Sequence, residues 1–268
     1  MTANKLFRRA IIGALILAVV LLGSLAVGAW RDRQLAGKPQ LGLITTLPLR
    51  WGEGSSNNII DPAAEPLPAY LSLQLEYQIK LIDALDTKAL KDTNLLLLAQ
   101  PRAFAPSEFA ALDKWVRDGG HILILADPAL AWESIHPLGD KRRPLFTSLM
   151  SPLFTHWGID LVLPMEEAGE KTILRQVSGL TVRTVTPGAW QPREGSKTAQ
   201  CAIDNQGLTA QCIVGKGRAV LIADADLLDA DLWQGTGMRA IARKDDFGNM
   251  AMIKQYLRHL TGRAAHSE

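Results

Sequence analysis

Histidine and cysteine are scarce in this chain, with five of the first and two of the second among 268 residues. Cys201 and Cys212 have no histidine pair beside them, which argues against a structural zinc site, where four nitrogen or sulfur ligands must converge. No Gly-x-Ser-x-Gly stretch is present to build the sharp turn that exposes a hydrolase serine. No Walker-type glycine-rich loop is present to cradle the phosphates of ATP. Gly215 and Gly217 precede a strand instead of opening a helix, which argues against dinucleotide binding. Charge is balanced, 29 Lys and Arg against 27 Asp and Glu, and the net +2 selects no class of partner. The one compact basic run, Lys141-Arg142-Arg143, stands before Pro144 and reads as a solvated loop. No basic, aromatic-studded face suggests nucleic acid, and no repeat of solenoid period is found.

What the chain does have is apolar residues, 47% of the total, enough for one generous α/β domain or two small ones. The first concentration of them is N-terminal. Residues 10–30 carry no charge, and about twenty residues at roughly 1.5 Å each cross the roughly 30 Å of a bilayer's hydrocarbon layer. The expectation is an uncleaved transmembrane anchor, because cleavable signals have apolar cores of roughly 7–15 residues. Ala26, Gly28 and Ala29 keep a cleaved signal sequence as the alternative. Lys5, Arg8 and Arg9 precede the segment, whereas Arg31 and Arg33 follow it, so the positive-inside bias is weak. The brevity of the tail places residues 1–9 in the cytoplasm and the remainder outside. The expected location is the bacterial inner membrane, single-pass, with the C-terminal domain in the periplasm.

The clearest folding signal lies further on. Leu95-Leu96-Leu97-Leu98-Ala99 is an apolar run, and Pro106-Ser107 opens a helical pattern carried by Phe109, Leu112, Trp115 and Val116. Gly119-Gly120 ends that pattern, and Ile122-Leu123-Ile124-Leu125-Ala126 runs into Asp127-Pro128. Two strands apolar at nearly every residue, joined by a helix, predict a βαβ unit in a parallel sheet covered on both faces. Arg218-Ala219-Val220-Leu221-Ile222-Ala223 repeats the strand character and ends in Asp224-Ala225-Asp226. Further strands are predicted near residues 41–47, 77–82 and 158–163, and helices near 69–76, 145–157 and 247–260. From about 171 to 214 the pattern changes to short β segments, suggesting a small antiparallel insertion in a domain that spans residues 38–262, with 263–268 as a tail.

Cys201 and Cys212 flank Asp204-Asn205-Gln206-Gly207, a turn-forming cluster between two runs of strand character. They are disulfide candidates across a hairpin in an oxidising compartment, free thiols being the alternative, because pairing depends on a turn register that sequence does not determine.

The succession of apolar strand, proline, helix with Leu112-Asp113 at its middle, Gly119-Gly120, apolar strand and Asp127-Pro128 resembles the extracytoplasmic domain of gliding-motility-type and uncharacterised ABC-transport-system accessory proteins. Gly215 to Leu228 is similar to that family's glycine turn, hydrophobic strand and Asp-x-Asp-Phe-Leu signature, with Leu227 at the phenylalanine position. Phe247-Gly248-Asn249 is similar to the start of its closing helix. The resemblance covers residues 95–128 and 215–262 and is thin elsewhere. It implies a flavodoxin-like, class I glutamine amidotransferase-like fold, so the expected class is α/β: an N-terminal transmembrane helix, then a mainly parallel sheet with a small antiparallel β extension. It also implies an accessory domain of a transport or envelope assembly, with the lipid bilayer and membrane subunits of a transport-type complex as partners. No established chemistry and no cofactor carry over.

An amidotransferase of this fold holds a cysteine on a strand-to-helix turn beside a histidine. Cys201 and Cys212 lie in hairpin-like segments, and His121, His136, His156, His259 and His266 form no matching arrangement. The remaining candidates are acidic. Asp127, Asp224 and Asp226 are expected at the C-terminal ends of buried strands, where ligands sit in open α/β sheets. As ligand-binding candidates they suit a non-catalytic binding domain. As oxygen ligands for Mg²⁺ or Ca²⁺ they would make a metal-dependent hydrolase, the alternative function. The simplest reading is that they cap backbone amides at the strand ends, with Asp229 and Asp231 solvated.

Overall fold

The computed structural model describes residues 37–52, 65–166, 172–195, 198–241 and 244–262. These fall into two compact units. The smaller includes the described residues 37–39 and 76–78, and the larger, formed by Gln40–Leu75 and Ile79–Glu268, carries the features that follow.

Its centre is a seven-stranded sheet in the order β2-β1-β3-β4-β11-β10-β9, with β1 at Gln40–Thr45, β2 at Gln78–Leu81, β3 at Leu95–Ala99, β4 at His121–Leu125, β9 at Gln200–Asp204, β10 at Thr209–Val214 and β11 at Gly217–Ile222. β1, β3, β4 and β11 are parallel neighbours, in register at Leu43 with Leu97, Leu97 with Leu123 and Leu123 with Val220. Every residue of β3 is buried, as the unbroken apolar run requires of a strand covered on both faces. β10 and β9 continue the sheet antiparallel. Two antiparallel pairs lie outside it: β5 (Ile159–Val162) with β8 (Ala189–Pro192), and the hairpin of β6 (Thr172–Val177) with β7 (Leu180–Val185).

Alternation along the strands sends Leu96, Leu98, Ile122, Ile124, Ala219 and Leu221 to one face, where Leu112 and Val116 of the Pro106–Arg117 helix and Phe154 and Trp157 of the Ser151–Trp157 helix join them in one core. The opposite face takes the Asn249–Leu260 helix, which packs on β4 and β11. Met250, Ile253, Leu257 and Leu260 make its buried stripe at the three- and four-residue spacing of an amphipathic helix. Pro106 starts the first of these helices at a position where a missing N–H costs nothing, and Glu108 reaches back to accept from the Ala105 amide at 3.0 Å. Gly217 must be glycine for a different reason: a Cβ there would run into the carbonyl oxygens of Val116 and Gly120.

The structure corrects the expected fold class at its first element. Among the described residues no helix is long and apolar enough to cross a membrane, and residues 10–30, on which the anchor was placed, lie outside the described residues, as do 1–9 and 263–268. A second correction shortens the helix expected near 145–157 to Ser151–Trp157. Residues 145–148 are used otherwise: the Ser148 amide donates to the Asp127 carbonyl at 2.7 Å and Leu130 donates to Phe146 at 2.8 Å, contacts a helix there would forfeit. A short helix at Thr87–Lys91, capped by Asp86 on the Ala89 amide at 2.6 Å, had no periodic signal because it is barely one turn long.

Candidate functional site

β4 and β11 are adjacent and parallel, so the residues that leave them arrive side by side at one edge of the sheet. Asp127 follows β4, and Asp224 and Asp226 follow β11. The three are 0%, 0% and 2% exposed, and one oxygen from each lies within 4.8 Å of the others.

Each carboxylate is occupied by backbone. Asp127 accepts from Ala129 at 2.8 Å through Oδ1 and from Ala225 at 3.0 Å through Oδ2, tying its own loop to the exit of β11. Asp224 accepts from Leu227 at 3.1 Å and, with its other oxygen, from Val185 at 3.2 Å, joining the end of β11 to β7. Asp226 accepts from Ala131 at 2.8 Å and so anchors the loop that leaves β4. Buried backbone amides need partners, and here side chains supply them where the ladder has ended.

The enclosure changes the acids themselves. Burial pushes the Asp127 carboxyl up to about 7, against the pull of the Ala225 and Ala129 amides. Burial, reinforced by the nearby Asp127 charge, pushes Asp226 up to about 8. Asp224 rises well above the carboxylate range, first through burial and then through Asp127 and Asp226. Such acids hold protons near neutrality. They have the proton affinity of general acids, and all three are enclosed. As oxygen donors they suit a hard cation, which would share them with the amides they now hold.

The turn after β3 is occupied by Gln100. Its φ is 42°, a conformation that is costly for any residue but glycine, and the residue is fully buried. Its side chain is a structural tie, donating to Leu145 at 2.9 Å and Asp127 at 3.2 Å and accepting from the Asp127 amide at 2.9 Å. Asn249, which opens the last helix, does the same to Arg183, accepting from its amide at 2.9 Å and donating to its carbonyl at 2.8 Å. Gln100 carries no sequence signal beyond its place after an apolar strand, and Asn249 belongs to the Phe247-Gly248-Asn249 stretch noted in the sequence, which assigns it no role.

Cys201 and Cys212 stand directly opposite each other in the β9–β10 ladder and form a disulfide, and no free cysteine remains. They lie in the antiparallel extension, away from the acidic edge. His121 begins β4 and His259 is on the exposed side of the last helix.

Residues 38–163, just under half of the chain, match the model of a family described as an ABC-type uncharacterized transport system. No curated protein matches the chain. Among solved structures, the chain is similar to an exo-beta-1,4-mannosidase, Op5Man5, from Opitutaceae bacterium strain TAV5, at 18% identity and a TM-score of 0.40 over 76% of this chain and 34% of that one. It is also similar to the N-terminal domain described as mmIFT52, at 15% identity and a TM-score of 0.47 over 85% of this chain and 99% of that one. A third similarity is to the cytoplasmic protein STM1381 from Salmonella typhimurium LT2, at 11% identity and a TM-score of 0.44 over 83% of this chain and 99% of that one. The chain thus spans about a third of the mannosidase.

Proposed function

We propose that this protein is a non-catalytic accessory domain of an ABC-type transport assembly, working by binding on the oxidising side of the cell envelope. The match of residues 38–163 to the ABC-type transport family carries this reading. That segment contains the whole βαβ unit of β3, the Pro106–Arg117 helix and β4. The use made of the acidic edge supports the second half of the proposal: Asp127, Asp224 and Asp226 accept from backbone amides, and the turn after β3 holds a buried glutamine that ties Asp127 in place. The Cys201–Cys212 disulfide supports the compartment, since such bonds persist where glutathione does not reduce them.

One observation favours the alternative of a metal-dependent hydrolase, namely the 4.8 Å convergence of an oxygen from each of Asp127, Asp224 and Asp226. A cation bound there would share these carboxylates with the backbone amides they already hold, through their remaining lone pairs.

The test of the transport reading is cross-linking in the native cell followed by purification of the chain. An ABC-type ATPase and its permease subunits are expected to co-elute at fixed stoichiometry. Their absence, or their loss of association in favour of an unrelated assembly, contradicts it.

A further inference from the structure

On the same C-terminal edge of the sheet, on the far side of β3 from the acids, the larger unit has a cavity of about 760 Å³ at the end of β1, lined also by residues that follow β2 and β3. β1 lies between β2 and β3, so the chain reverses its direction of travel across the sheet at this point. In the 2-1-3-4-5 order that β2-β1-β3-β4-β11 follows, this switch is where loops part and leave a crevice for ligands. The volume is that of a small-molecule site.

Its chemistry is cationic with an apolar wall. Arg102 and Arg142 line it but are neutralised by Glu108 at 2.6 Å and Asp140 at 2.7 Å. Arg50 and Lys141 also line it, and among the described residues neither pairs with a carboxylate. The Arg50 guanidinium instead lies 4.3 Å from the centre of the Trp51 ring and 5.5 Å from that of Tyr70, which stiffens it without cancelling its charge. Asp83 is the opposing carboxylate on the lining. Trp51 and Leu81, 62% and 41% exposed, leave large apolar surfaces at the same cavity.

We infer that this cavity binds a small anionic ligand, its phosphate or carboxylate held between Arg50 and Lys141 and its ring or chain laid on Trp51 and Leu81. The basic run at Lys141, read from sequence as a solvated loop, thereby acquires a role. The inference does not rest on the transport reading.

Calorimetric titration of the full chain at low salt tests it, with phenyl phosphate, benzoate, inorganic phosphate and phenol as probes. One site is expected for phenyl phosphate or benzoate, and the tighter of the two identifies the anionic group. Arg50→Gln and Lys141→Gln are each expected to weaken that probe at least about threefold, the size of one solvent-exposed charge pair, with melting temperature unchanged. Asp83→Asn is expected to tighten it, and Trp51→Ala to weaken phenyl phosphate while leaving inorganic phosphate as it was. Saturation by neither organic anion, equal binding of phenol, or wild-type affinity in both cation variants overturns the inference.

Discussion

Gln100 pairs its side-chain amide with both backbone groups of Asp127, accepting from the amide at 2.9 Å and donating to the carbonyl at 3.2 Å. A side chain thereby continues the β3–β4 ladder for one step after the strands themselves have ended, and it does so at the base of the acidic edge. Removing it leaves the Asp127 amide and the Leu145 carbonyl without their buried partner. Gln100→Ala is therefore expected to cost about 2–4 kcal/mol of stability, read by urea denaturation. A change under about 0.5 kcal/mol would show that the tie is replaceable.

The acidic edge predicts an unusual response to pH. The folded-state values of Asp127 and Asp226, about 7 and about 8, lie above the 3.8 of a free carboxyl, and Asp224 is displaced the same way. Their protonation favours the fold, so this contribution is complete below about pH 4 and is lost as pH rises through 7 and 8. Glu108 works oppositely, being held low by Arg102, but it stays ionised above pH 5. The melting temperature is expected to rise by at least about 5 °C from pH 8 to pH 5, and Asp127→Asn to reduce that rise. A fall across that interval would mean the carboxyls are ionised in the native protein.

The disulfide predicts a redox response confined to the antiparallel extension. Protein isolated without reductant is expected to offer no alkylatable thiol, because Cys201 and Cys212 are bonded. Reduction is expected to cost about 2–3 kcal/mol for so short a loop. Two thiols in unreduced protein would contradict the bond and with it the support for an oxidising compartment.

The parallel sheet was legible in the sequence because residues 95–99 and 122–125 are buried on both faces, and burial of that kind writes itself as an unbroken apolar run. Residues 145–150 were misread as helix because their apolar spacing satisfied a helical period, whereas the Asp127 carbonyl and Leu130 amide claim their backbone from a distance that periodicity does not register. The arrival of Asp127, Asp224 and Asp226 at one edge followed from strand direction alone. Their occupation by Ala129, Ala225, Leu227, Val185 and Ala131 amides did not, since Val185 and Ala131 come from segments far along the chain. Arg50 and Lys141 were invisible as a pair for the same reason: the strand order that brings their loops to one cavity is a property of the sheet.

The non-catalytic reading stands on the claim that the three acids clasp backbone amides and not a cation. The direct measurement is a thermal melt of wild type, Asp224→Asn and Asp226→Asn in chelator, Mg²⁺, Ca²⁺ and Mn²⁺. The prediction is a wild-type melting temperature that no metal shifts by more than about 1 °C, with variants that lose stability equally in every condition. A rise in one metal that both variants abolish, accompanied by phosphatase or phosphodiesterase turnover lost in the same two variants, would contradict it.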